Sequence, residues 1–184
     1  MNIIETPIKD LFVIEPKIWK DTRGYFYESY SAKQLAEADI NAIFIQDNQS
    51  FSQKGTLRGL HAQAPPFAQG KLVRVIKGAV LDVAVDIRKN SPTYGQHFSI
   101  ELSGENHKQL WVPPGFLHGF LTLENDTIFT YKVTNYYDKD SEIGIMWNDP
   151  TLNINWSAQL EESAFLLSDK DLILKDFKSL QSPF

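Results

Sequence analysis

The chain contains no cysteine, which excludes disulfide staples and thiolate metal sites. Histidine is sparse. His61, His97, His107 and His118 are the only four, and none is spaced as His-x-His or His-Glu-x-x-His. The paired ligands of many metal enzymes are therefore missing, and no metal site is expected. No uninterrupted apolar run is long enough to span a bilayer, so no membrane segment is expected. The opening residues, Met1-Asn2-Ile3-Ile4-Glu5, lack a basic stretch followed by an apolar run, which predicts no secretory signal and a cytoplasmic location. Basic residues are outnumbered, 18 Lys and Arg against 23 Asp and Glu, and the net charge of -5 argues against general affinity for nucleic acid. Internal repeats, linkers and low-complexity segments are absent from the sequence.

What is present is ordinary globular composition. With 184 residues, 42% hydrophobic and 22% charged, the chain is long enough to bury its own core, and one domain over residues 1–184 is expected. Leu11-Phe12-Val13-Ile14 is β-rich and stops at Glu15-Pro16. After the turn Asp21-Thr22-Arg23-Gly24, the run from Tyr25 to Tyr30 reads as an aromatic strand, and Ala42 to Asp47 as another. Between them Ser31-Ala32-Lys33-Gln34 has capping-box spacing, which predicts a short helix through Leu35 to Ala38. Further strands are expected over His97 to Leu102, Ile128 to Tyr137 and Gly144 to Trp147, with a short helix after Ser168. Many short strands with regular turn signals and little helix predict an all-β sandwich or barrel.

The stretch from Arg58 to Arg88 concentrates the chemistry. Three β-like runs, Arg58 to Gln63, Gln69 to Val75 and Val80 to Arg88, each carry ionisable groups. In the last run alternation separates Leu81, Val83, Val85 and Ile87 from Asp82, Ala84, Asp86 and Arg88. In the first, alternation puts His61 with Gly59 and Gln63, and Arg58 on the opposite side. Gly59 leaves room beside His61 for a ligand or a close backbone approach. If the sheet closes, a His, a Lys and an Asp can share one pocket.

Each candidate also has a plainer reading. His61 is then a satisfied core histidine, Lys71 a snorkelling side chain at a sheet end, and Asp82 and Asp86 a solvated outer face. Asp171 is the third helical position of a capping box begun by Ser168. Tyr131, Tyr136 and Tyr137 are strand aromatics. Pro113-x-Gly115-x-x-His118 resembles the second motif of the cupin superfamily, although the His-x-His pair that normally shares a metal with it is missing; its plainer reading is a buried, hydrogen-bonded histidine in a turn.

Taken together the motifs resemble a family. Arg58-Gly59-Leu60-His61-x-Gln63, Gln69-Gly70-Lys71-Leu72-Val73-Arg74-Val75, Asp82-Val83-Ala84-Val85-Asp86-Ile87-Arg88 and Ser91-Pro92-Thr93-x-Gly95 come first. Leu110-Trp111-Val112-Pro113-x-Gly115-Phe116-x-His118-Gly119-Phe120, Tyr131-Lys132-x-Thr134-x-Tyr136-Tyr137, Trp147-Asn148-Asp149 and Leu167-Ser168-x-Lys170-Asp171 follow in order. This set is similar to the dTDP-4-dehydrorhamnose 3,5-epimerases. Ala62, where that family usually has an aromatic, and Ser157, where proline is common, depart from the pattern.

The resemblance implies an all-β, cupin-like jelly roll (a double-stranded β-helix) with a few short helices, acting as a homodimer with shared active sites and without a cofactor. It implies dTDP-4-dehydro-6-deoxy-D-glucose as substrate and dTDP-4-dehydro-L-rhamnose as product, on the route to L-rhamnose of cell-surface polysaccharide such as O-antigen. By the same resemblance His61 is the base, Asp171 its partner, Lys71 the stabiliser of enolate charge and Tyr131 the opposing acid. Arg23 and Arg58 are expected on the diphosphate. Trp19, Phe26, Glu28, Gln46, Asn48 and Tyr137 are expected around the nucleotide or sugar, with Asp82 and His118 deeper in the pocket. Some of the N-terminal residues would come from the partner subunit. The alternatives are an epimerase of C3 alone, a non-catalytic sugar-nucleotide-binding cupin, and a metal-dependent cupin isomerase or oxygenase, the last disfavoured by the missing His-x-His pair.

Overall fold

The computed structural model describes residues 1–158 and 160–184. In chain order the strands are β1 (Asn2–Glu5), β2 (Phe12–Glu15), β3 (Trp19–Asp21), β4 (Gly24–Phe26), β5 (Gln46–Ser52), β6 (Leu57–Gln63) and β7 (Lys71–Lys77). Then come β8 (Ala79–Asp86), β9 (His97–Ser103), β10 (Gln109–Val112), β11 (Phe116–Thr122), β12 (Thr127–Val133) and β13 (Glu142–Gly144). Helix is limited, among the described residues, to α1 (Ala32–Ala36) and short 3-10 turns. Two antiparallel sheets, ordered β1-β2-β10-β7-β12-β5 and β13-β6-β11-β8-β9, face each other, and β3 and β4 form a separate hairpin. From β5 onward the chain crosses between the sheets at almost every strand. That winding makes the cupin-like jelly roll expected from the sequence.

The side of each strand that faces inward is decided by what covers the other side. The apolar row of β8 does not line the barrel. Leu81, Val83 and Val85 pack outward with Leu57, Leu60, Leu117 and Leu121 beneath Leu152, Trp156 and Phe177 of the C-terminal segment. Val80 and Ala84 pack inward with Val73, Val75, Phe116, Phe120 and Phe129. Asp82 and Asp86 lie in that inward row and are 0% exposed, which rules out their plainer reading as a solvated outer face. Each has partners in place of water: His118 for Asp82, and Arg88, Ser91 and Thr93 for Asp86. A third cluster, Ile14, Leu35, Ile40, Leu72 and Trp111, lies between α1 and the six-stranded sheet.

Alternation fails at one place that matters. Arg58 and His61 both face inward, not oppositely, and line one pocket. β6 pairs with β11 at His61 opposite His118 and again at Arg58 opposite Phe120. β6 therefore carries one more residue than its partner between those pairs, a bulge that re-aims a side chain. Leu57 and Leu60 share the outer cluster for the same reason. Gly59 sits in the bulge at φ +131°, and a Cβ there would lie 2.6 Å from the Gly119 Cα. The close approach expected of Gly59 is thus backbone on backbone. We expect Gly59→Ala to cost about 3 kcal/mol through strain and overpacking. A urea midpoint equal to that of the parent would show that the two strands can separate without loss.

Several boundaries also differ. Pairing in β5 begins at Gln46, because Ala42 and Phe44 instead pack on the Trp111 cluster. The strand expected from Tyr25 to Tyr30 is reduced to the exposed β4. α1 starts after its Ser31 cap and stops at Ala36, ahead of Asp39 in the left-handed region. β12 ends at Val133, leaving Tyr136 and Tyr137 on a loop, so they are not strand aromatics. The last short strand lies at Glu142–Gly144, earlier than expected. The helix expected after Ser168 is a single 3-10 turn, Asp171–Ile173.

Candidate active site

One end of the barrel holds a pocket of about 330 Å³ whose wall includes Gln46, Asn48, His61, Lys71, Tyr131, Tyr137 and Glu142. An adjoining recess of about 160 Å³ shares His61, Lys71 and Tyr131 and adds Ser50, Arg58 and His118. His61 and Arg58 come from β6 and His118 from β11, in one sheet; Lys71 comes from β7 and Tyr131 from β12, in the other. The ionisable groups thus meet across the gap between the sheets.

His61 Nε2 lies 2.6 Å from Asp171 Oδ1. Ser168 Oγ donates to Asp171 Oδ2 at 2.9 Å, and the Asp171 N–H returns a bond to Ser168 Oγ. Ser168 and Asp171 thus bond to each other as their spacing suggested and serve the histidine as well, but Asp171 opens the 3-10 turn instead of standing third in a helix, and Lys170 at its cap position makes no side-chain cap bond. Burial pushes the Asp171 carboxyl up, but hydrogen bonds from His61 and Ser168, with the charges of His61 and Lys170 nearby, hold it below the usual carboxylate range. An ionised Asp171 fixes the imidazole and leaves Nδ1 as the nitrogen that can take a proton.

Lys71 is not a snorkelling side chain, since it lines both parts of the cavity. Burial lowers its pKa to about 8 against the opposing pull of Asp82 and Glu142. Burial raises the Tyr131 phenol above its usual value, with Arg58 opposing. That phenol keeps its proton at neutral pH and can donate it. His118 is buried and hydrogen-bonded, as its plainer reading held, but on a strand rather than in a turn. Its Nε2 contacts both Asp82 oxygens, at 2.9 and 3.0 Å.

The rim completes the pocket. Gln46 Nε2 donates to Asn48 Oδ1 at 2.7 Å, and the Arg58 guanidinium donates to Ser52 Oγ at 3.3 Å. Tyr137 OH donates to Glu142 at 2.9 Å, and Glu142 also pairs with Lys170. Glu142 and Ser168 were missed as site residues in the sequence reading. The signal for Glu142 is weak: one carboxylate ahead of Ile143-Gly144-Ile145, on a strand that only the fold lays beside His61.

Four candidates are not brought to His61 within one chain. Trp19, Arg23 and Phe26 line a separate cavity at the β3–β4 hairpin, where Arg23 pairs with Asp21 at 2.6 Å. Glu28 accepts from Gln34 at 2.8 Å. A larger cavity, about 450 Å³, opens on the outer face of the six-stranded sheet by Arg74, Thr130 and Lys132. It lacks the histidine–carboxylate pair, so size does not mark the reactive site.

A jelly roll that sets a His–Asp pair and an amine of lowered pKa against a protonated phenol has the equipment of a cupin-type acid–base catalyst. Comparison with known proteins narrows that class. The sequence profile of the dTDP-4-dehydrorhamnose 3,5-epimerases matches residues 5–179, and the chain belongs to that family. It is 51% identical over 173 residues to the dTDP-4-dehydrorhamnose 3,5-epimerase of Shigella flexneri, covering 94% of this chain and 93% of the relative. The crystal structure of the epimerase from Elizabethkingia anophelis superposes with a TM-score of 0.93 at 46% identity, covering 97% of each chain. A dTDP-6-deoxy-D-glucose-3,5-epimerase of Legionella pneumophila, solved with dTDP-4-keto-L-rhamnose, superposes with a TM-score of 0.92 at 51% identity, covering 98% of this chain and 94% of that one.

Proposed function

We propose that this protein inverts C3 and C5 of dTDP-4-dehydro-6-deoxy-D-glucose, giving dTDP-4-dehydro-L-rhamnose. The observation that carries the reading is the opposition of base and acid. His61 stands on one sheet and Tyr131 on the other, with the pocket between them. Epimerisation needs a proton removed from one face of a sugar and returned to the other.

The C4 ketone acidifies the protons on C3 and C5. His61 takes the proton, and Asp171 steadies the imidazolium that results. Charge then collects on the C4 oxygen as an enolate, and the Lys71 ammonium stabilises it there. Tyr131 delivers a proton to the opposite face. Asp82 and His118 support the inner wall. Arg58, with Gln46, Asn48 and Tyr137 at the rim, suits the diphosphate and nucleotide, guanidinium being matched to phosphate oxygens. None of these steps calls for a cofactor. The two pocket histidines are each taken up by a single carboxylate, and among the described residues no group of three His, Asp or Glu side chains could hold a metal.

The hairpin residues fit a shared site in a homodimer. Trp19 is 46% exposed and Phe26 66%, an unusual investment of aromatic surface in a solvated hairpin. Both would be accounted for if the hairpin, with Arg23 and Glu28, completed the pocket of a second subunit. We place the protein in the cytoplasm.

Incubation with substrate in deuterated water, in the presence of a chelator, tests the proposal by proton NMR. Deuterium is expected at both C3 and C5. Tyr131→Phe is expected to slow net inversion, most at C5, by about 10²-fold while initial proton loss persists. Exchange at C3 alone would make this a single-centre epimerase, and no exchange with intact dTDP binding would make it a binding protein.

A further inference from the structure

Gln63 closes β6, two positions after His61, and is 6% exposed. Its side-chain amide is fully engaged by backbone. Nε2 donates to the carbonyls of Phe67 and Tyr136, each at 2.9 Å, and Oε1 accepts from the Asp138 N–H at 2.6 Å. Tyr136 and Asp138 flank Tyr137. Packing contributes little here, since Tyr136 and Tyr137 are both 60% exposed. The loop beyond β12 is instead held by hydrogen bonds, and Gln63 grips it on both sides of Tyr137. Gln69 secures the carbonyl of Asn135, the residue before Tyr136.

We propose that Gln63 is a positioning residue that sets Tyr137 on the pocket rim and so couples the strand bearing His61 to the nucleotide-binding wall. The proposal rests on the reading of Tyr137 as a contact for dTDP. An amide suits this role because it offers two donors and an acceptor in one plane. Neither an apolar side chain of the same length nor a carboxylate can replace both donors.

The test is a double-substitution cycle read by calorimetric binding of dTDP. Gln63→Met is expected to raise the dissociation constant about tenfold, since buried hydrogen bonds to the loop are lost. In a Tyr137→Ala background the same change is expected to shift the constant by less than about twofold, because the partner it positions is gone. Gln63→Glu, which keeps the acceptor and the volume, covers the case in which the apolar variant does not fold. It is expected to weaken binding in the same Tyr137-dependent way. Under steady state KM should rise with smaller change in kcat. An unchanged constant in Gln63→Met or Gln63→Glu, or an equal loss in both backgrounds, overturns the proposal. Amide hydrogen exchange at Asp138 gives a reading that needs no nucleotide. Protection is expected in the parent and should be lost in Gln63→Met; retained protection would also overturn the proposal. If the parent itself failed to bind dTDP, the substrate reading would fall, while exchange at Asp138 would still decide whether Gln63 holds the loop.

Discussion

Replacing His61 by asparagine is expected to stop deuterium exchange at C3 and C5. A general base contributes about 10²–10⁴-fold, and His61 faces the pocket as the nitrogen base paired with a carboxylate. Asparagine is short and uncharged, and its amide can still donate toward Asp171, so the buried carboxylate need not be left unpaired. The outer cluster of Leu57, Leu60 and Ala62 does not include His61. The urea midpoint should therefore remain near that of the parent, and dTDP should still bind. The assay is exchange at each carbon over time, with binding measured alongside. Near-parental exchange in the variant would place the base elsewhere. Loss of dTDP binding together with loss of exchange would point to a collapsed pocket instead.

Lys71→Met is expected to lower the rate and raise stability together. Removing one preorganised stabiliser of an oxyanion typically costs about 10²–10³-fold in kcat. The stability effect follows from proton linkage. The folded-state pKa of Lys71 is about 8, below its ordinary value of 10.5. Between those values the unfolded chain binds more protons than the folded one, so stability rises with pH across that window. Below it the buried ammonium is charged and its desolvation opposes folding. Methionine removes that cost, so at pH 7 the variant should unfold at higher urea than the parent. The difference should shrink as pH rises through about 8 and be gone above about 10.5. The parental rate should fall as pH rises through about 8, because the amine loses the charge that holds the enolate. The residual rate of the variant should lack that limb. An alkaline limb unchanged in Lys71→Met would assign it to another group, and a variant less stable at pH 7 would show that Lys71 is held by more than its surroundings suggest.

These two predictions concern residues legible in the sequence. Others were not. Lys71 could be singled out as a charge at the head of an apolar strand, but its lowered pKa comes from burial in the folded pocket, which outweighs the opposing pull of Asp82 on β8 and Glu142 on β13. Asp171 could be placed by capping spacing from Ser168, a local pattern. Its bond to His61 spans 110 residues, and no period along the chain encodes a contact of that length.

Local chemistry by itself determined that the chain is built of many short strands with little helix, and which side chains share a face wherever alternation ran unbroken. The row of Asp82, Ala84 and Asp86 was separated correctly from the row of Leu81, Val83 and Val85. Which row faced the cavity was a tertiary decision. Alternation distinguishes two faces but does not rank them, and the apolar row turned outward because Trp156 and Phe177 of the C-terminal segment cover it. The bulge at Gly59 was decided in the same way. One extra residue in β6, permitted where Gly59 meets Gly119 without side chains between them, turned Arg58 to the same side as His61.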